Sequence, residues 1–136
     1  MRAVVLTSHG DPEVLSIREV PDPRPGPTEV VVRIAATALN RADLLQRRGC
    51  TPALDGPRDP RRSTRALSRR SAGGVSRWSV GDRVMGIVGG GAYAEAIAVD
   101  ERQTMAVPDA VELDEAAAIP EAFLTAFPTP WWCRAA

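Results

Sequence analysis

Residues 30–49 read VVVRIAATALNRADLLQRRG, a β-rich run followed by a short helical one, with Asn40 at the junction. Asn is a good N-cap because its side-chain oxygen can accept a free amide of the first helical turn. Asp43, three residues on, places negative charge in that turn, where the helix dipole favours it. Ala42, Leu44 and Leu45 sit among Arg41, Asp43, Gln46, Arg47 and Arg48, and Gly49 supplies a left-handed stop. The reading is a short helix at the end of a strand, with one polar side chain at the joint. From these residues alone, a structural cap is sufficient explanation for Asn40.

The flanking chain is strand-rich. Ala3, Val4, Val5 and Leu6 form a short apolar strand ending in a Thr7-Ser8-His9-Gly10 turn. Between 14 and 20, Val14, Ser16 and Arg18 alternate with Leu15, Ile17 and Glu19, the period of a half-buried strand. PDPRPGP at 21–27 carries four prolines and is neither helix nor central strand. VGDRVMGIV at 80–88 holds a Gly-Asp turn and a buried-type strand, and GGGAYAEAIAVD follows. A Gly-rich loop that cradles phosphate normally has a helix start behind it; a strand-like alternation over 92–99 predicts a hairpin or barrel corner instead. Residues 105–108 suit one more short strand. Asp114 is the expected N-cap for EAAAI, and a helix over 121–127 has Pro120 in its first turn. Early strands separated by turn chemistry point to an antiparallel sheet or barrel.

The 136 residues suffice for one domain. Charge is balanced at 17 against 17, so no general polyanion-binding character follows. Every basic residue is Arg, a hint of a GC-rich genome. Cys50 and Cys133 suggest neither a disulfide framework nor a metal site. The N-terminal apolar run is too short for a signal peptide and nothing approaches a membrane span, so the expected location is cytoplasmic. His9, the one histidine, stands beside Gly10 in a turn, and no Ser or Cys nucleophile motif accompanies it.

Together AVVL near the start, ALNRADLLQRRG, VGDRVMGIVGGGAYAE and EAAAIPEAFLTAF resemble the zeta-crystallin-like quinone oxidoreductases, zinc-free members of the medium-chain dehydrogenase/reductase superfamily. The resemblance covers roughly residues 1–50 and 75–127. It implies a mainly β fold with short helices, the GroES-like barrel of the superfamily's catalytic domain, here incomplete and without its Rossmann domain. It also implies NADPH in the cleft between the two domains, hydride transfer to a quinone or enone, no zinc, and full-length members that are often homodimers. In zinc-dependent relatives a Cys ligand occupies the place of Asn40, and an amide is a poor zinc ligand beside thiolate. The resemblance places Asn40 and Asp43 near nicotinamide and substrate, and Thr125 at the border of the nicotinamide.

Two segments depart from the family pattern. After RRGC a Tyr-Pro and then a barrel-strand block are expected; Thr51 stands at the place of the site-lining Tyr, and six arginines fall between 58 and 70 without strand periodicity. After LTAF the chain reads PTPWWCRAA, where the family continues to the dinucleotide fingerprint. A codon string for residues 130–136, CCC TGG TGG TGC AGG GCG GCC, moved by one base reads Leu-Val-Val-Gln-Gly-Gly, the family's own continuation. The hypothesis is that both segments are frameshifted translations, the first shift corrected near Gly74; an intact single frame in the gene would refute it. The expected layout is a catalytic-type domain over 1–127, with 51–74 aberrant, and an aberrant tail over 128–136. Lacking a barrel strand whose buried aliphatics are worth about 1.5–3 kcal/mol each, against domain stabilities of about 5–15 kcal/mol, the barrel is expected to be partly formed and aggregation-prone. Without a G-x-x-G-x-x-G loop to grip pyrophosphate, the chain is expected neither to hold NADPH tightly nor to reduce quinone by itself. The alternatives are a non-catalytic binding module with a basic loop, or a functionless product. Clustered Arg also suits nucleic acid, but no aromatic interleaves the run and no reader motif surrounds it.

Overall fold

The computed structural model describes residues 1–50, the backbone of 68–71, and residues 74–127. Thr51, most of the Arg-rich run and the tail at 128–136, with Trp131 and Trp132, lie outside the described residues. Among the described residues seven strands run in chain order: β1 (Arg2–Leu6), β2 (Leu15–Glu19), β3 (Glu29–Arg33), β4 (Ser68–Ser71), β5 (Val84–Gly86), β6 (Ala96–Asp100) and β7 (Thr104–Ala106). Three short α-helices accompany them among the described residues, α1 (Arg41–Arg47), α2 (Leu113–Ala116) and α3 (Ile119–Ala126). The strands form three antiparallel sheets, ordered β1-β2, β4-β3-β6 and β5-β7. An Ala3–Ala94 bridge ties the first to the segment leading into β6.

The core lies on one face of β3 and β6. Val30 and Val32 are buried while Glu29, Val31 and Arg33 are not, the alternation that a pleated strand imposes. Across the ladder, Val30 faces Val99 and Val32 faces Ile97. Val30, Val32, Val84 and Val99 form one cluster, with Val75, Trp78, Val88 and Ile97 packed against it. Burying each such side chain is worth about 1.5–3 kcal/mol. Gly86 lets β5 meet its neighbour closely, because a Cβ there would lie 2.4 Å from the Gln103 carbonyl oxygen.

Three expectations need correction. The stretch 58–70 has no strand periodicity, yet Ser68–Ser71 pairs with β3, Val30 opposite Ser71 and Val32 opposite Ser68, with a register shift between. A ladder is made of backbone amides and carbonyls, so a short outer strand needs no apolar alternation of its own. β2 forms in the expected place, but it is not half-buried: Leu15 is 44% exposed and Ile17 74%. Its strand period arises from pairing with β1, while nothing described covers the face carrying Ile17. Finally, Glu112 and not Asp114 occupies the N-cap position of α2. Asp114 lies inside the first turn, its Oδ1 accepting the Glu115 N–H at 3.0 Å. Pro120 enters α3 near its first residue, where a missing N–H costs nothing.

Candidate functional site

The joint between β3 and α1 forms as its residues suggest. Asn40 has extended backbone, φ −122° and ψ 159°, and makes a capping box with Asp43. The Asp43 carboxylate accepts the Asn40 N–H at 2.7 Å, a charge-assisted bond stronger than a neutral one. Gly49 closes the helix at φ +74°. Arg47 is 8% exposed; its guanidinium donates to the Gly10 carbonyl, while the Gly10 N–H donates to the Arg47 carbonyl at 3.1 Å. The end of α1 is therefore bolted to the turn carrying His9, which is exposed.

The start of α1 faces one side of α3 across an open cleft of about 570 Å³. Asn40, Arg41 and Ala42 form one wall; Glu121, Ala122, Thr125 and Ala126 form the other. On α3 these positions follow helical spacing, so a single face of the helix supplies them. Three alanines, Ala42, Ala122 and Ala126, supply apolar lining with little bulk. The polar residues of the lining are Asn40, Arg41, Glu121 and Thr125. The Asn40 amide nitrogen donates one weak hydrogen bond, 3.5 Å, to the Ala38 carbonyl. Since an amide nitrogen carries two N–H donors, a second remains for a carbonyl oxygen placed in the cleft.

Asn40 and Thr125 are thus brought together, although the chain separates them widely. Asp43 is not in the lining; it stands behind Asn40 and holds that residue's backbone. A participant not anticipated from the sequence is Tyr93. Its hydroxyl donates to Asp43 Oδ2 at 2.8 Å and lies 3.4 Å from the Ala38 carbonyl oxygen. The alternation over 92–99 placed Tyr93 on the opposite face from Ala92, but strand period does not say which distant element that face meets. Among the described residues no group of three or more His, Cys, Asp or Glu side chains is placed to hold a metal ion, and Cys50 is a free, exposed thiol. No described helix is long and apolar enough to cross a membrane.

The alcohol dehydrogenase GroES-like domain matches residues 26–109. The synaptic vesicle membrane protein VAT-1 homolog of Rattus norvegicus is 35% identical over 130 residues, covering 93% of this chain and 32% of that protein. A quinone oxidoreductase of Pseudomonas aeruginosa is 34% identical over 119 residues, covering 87% of this chain and 37% of that protein. Among solved structures, the quinone oxidoreductase of Pseudomonas syringae pv. Tomato superposes with TM-score 0.79 at 32% identity, over 91% of this chain and 38% of that one. The Escherichia coli quinone oxidoreductase complexed with NADPH superposes with TM-score 0.85 at 25% identity, over 95% of this chain and 40% of that one. The chain spans about a third of the length of the curated relatives it matches.

Proposed function

Because this chain belongs to the alcohol dehydrogenase GroES-like domain family, we propose that its cleft is the substrate side of a metal-free, NADPH-dependent quinone or enone reductase. The observation that carries this reading is the convergence of Asn40 and Thr125 on one alanine-lined cleft. The likeness to proteins named quinone oxidoreductases, and to one complexed with NADPH, supports the choice of acceptor and cofactor.

The described residues of the cleft fit the nicotinamide end of the cofactor and not its phosphates. Asn40 and Thr125 are polar residues of the cleft lining, and the alanines beside them are small enough to admit a ring. Gly89, Gly90 and Gly91 lead towards strand β6, so they present no helix N-terminus to a phosphate. Bound there, the nicotinamide would supply the hydride. As charge grows on the acceptor's carbonyl oxygen, the spare Asn40 N–H is the group that stabilises it, most effectively at 2.7–3.1 Å in a site shielded from water. Thr125 orients the ring from the opposite wall, and Asp43 keeps Asn40 in place. Asn40 is neutral, so its contribution requires no proton of its own to be gained or lost.

The test is titration of the chain with duroquinone, whose fully substituted ring leaves Cys50 no carbon to add to, followed by amide resonances. Shifts are expected at Asn40, Ala42 and Thr125. Asn40→Ala should weaken binding roughly 2- to 10-fold, the worth of one neutral hydrogen bond, about 0.5–1.5 kcal/mol. NADPH should bind no more tightly than reduced nicotinamide mononucleotide, since its extra phosphate and adenosine meet no cradle among the described residues. Shifts confined to other parts of the surface, or a large gain from the adenosine half, would sink the proposal.

A further inference from the structure

We propose that Tyr93 is a positioning residue for this cleft, acting on Asn40 through Asp43. The inference rests on the reading of the cleft as the binding site. A phenol has one proton to give. The Asp43 oxygen at 2.8 Å is both closer and charged, and so takes that proton in preference to the Ala38 carbonyl oxygen at 3.4 Å. Asp43 Oδ2 also receives the Asn40 N–H at 2.7 Å. One carboxylate oxygen therefore joins the tyrosine to the residue at the mouth of the cleft.

The other end of this chain of contacts is anchored. The Tyr93 carbonyl accepts the Val4 N–H at 2.7 Å, and the Glu95 N–H donates to the Arg2 carbonyl at 3.1 Å. The bridge between Ala3 and Ala94 lies in the same stretch. Arg2 adds a side-chain bond, its Nε donating to Glu95 Oε1 at 2.8 Å. Ala92, just before Tyr93, is fully buried. Tyr93 thus reaches from a backbone fixed against β1 to the first turn of α1. A short helix of seven residues has little stiffness of its own, so where its first turn sits is decided by such outside contacts. Removing the hydroxyl takes a donor from Asp43 Oδ2, the same oxygen that accepts the Asn40 N–H, and so loosens its hold on that amide.

Tyr93→Phe, Asp43→Ala and the double variant test this. In Tyr93→Phe the Asn40 amide proton should move upfield and exchange several-fold faster with solvent, while the core amides of Val30, Val32 and Val99 stay unchanged. Duroquinone should bind several-fold more weakly. Adding Tyr93→Phe to Asp43→Ala should change neither quantity further, because residues that act through one partner are not additive. If Asp43→Ala does not fold, Asp43→Asn replaces it, and the effect of Tyr93→Phe in that background should be at least halved. An Asn40 amide indifferent to Tyr93→Phe, or fully additive effects, would overturn the proposal. If duroquinone never perturbs Asn40 in the unaltered chain, the reading of the cleft fails, and the amide measurements still decide whether Tyr93 positions Asn40.

Discussion

Gly49 shows how one residue ties local geometry to a distant contact. Its φ of +74° is a left-handed conformation, unfavourable for any residue with a Cβ by about 1–2 kcal/mol. A Cβ built there would also lie 3.0 Å from the His9 ring. Gly49→Ala is therefore expected to destabilise the chain by about 1–2 kcal/mol, measured as a lower urea midpoint, and to loosen the Gly10–Arg47 junction. The stop signal was readable from spacing alone. That the imidazole of His9 occupies the space a side chain at 49 would need was not, because the two residues come near only when the end of α1 meets the first turn. Asn40 teaches the same division: its role as N-cap follows from Asp43 three residues away, whereas its seat at a cleft depends on α3.

Among the elements, β3 bears the most. It lies between β4 and β6 and contributes Val30 and Val32, exposed by 1% and 0%. Val32→Ala removes two buried methyl groups and should cost roughly 1.5–3 kcal/mol, counting lost burial and the cavity left behind. The readout is thermal unfolding, with Ile17→Ala as control, since that side chain is already exposed. The turn after β6 carries a pH dependence. Arg102 donates to both oxygens of Asp100, and Thr28 donates to one of them. Together they hold the Asp100 carboxyl well below the ordinary carboxylate range, the Arg102 side-chain bond being the main cause. A carboxylate with a depressed folded value stabilises the fold above its unfolded value, and that contribution fades as pH falls towards the folded one. Stability is therefore expected to decline on acidification below about pH 4, and Arg102→Gln should flatten that slope. A slope unchanged by Arg102→Gln would remove Asp100 from the account.

At the scale of the whole molecule, the apolar surface is unevenly covered. Phe123, Leu124 and Phe127 on or just after α3 are 67%, 48% and 75% exposed, and Leu39 is 82% exposed. Patches of this kind on one helix favour association through apolar burial. Phe123→Ser with Phe127→Ser should reduce self-association in sedimentation and lower binding of an apolar dye, while leaving the Val30–Val99 ladder intact. Unchanged sedimentation would place the sticky surface elsewhere, with the exposed face of β2 as the next suspect.

The sequence alone determined the features with short range. The cap at Asn40, the stop at Gly49, the proline loop over 21–27 and the turn at Gly81 all follow from steric or hydrogen-bonding rules that act within a few residues. Alternation marked β2 and β6, and apolar or β-branched runs marked β1, β3 and β5, whereas β4 carried no such signal. Tertiary structure alone decided what crossed the chain. It paired Ser68–Ser71 with β3, left Ile17 in solvent, set Tyr93 against Asp43, and brought Thr125 opposite Asn40. Local periodicity says which side of a strand or helix a residue occupies; only the packing of whole elements decides what that side faces.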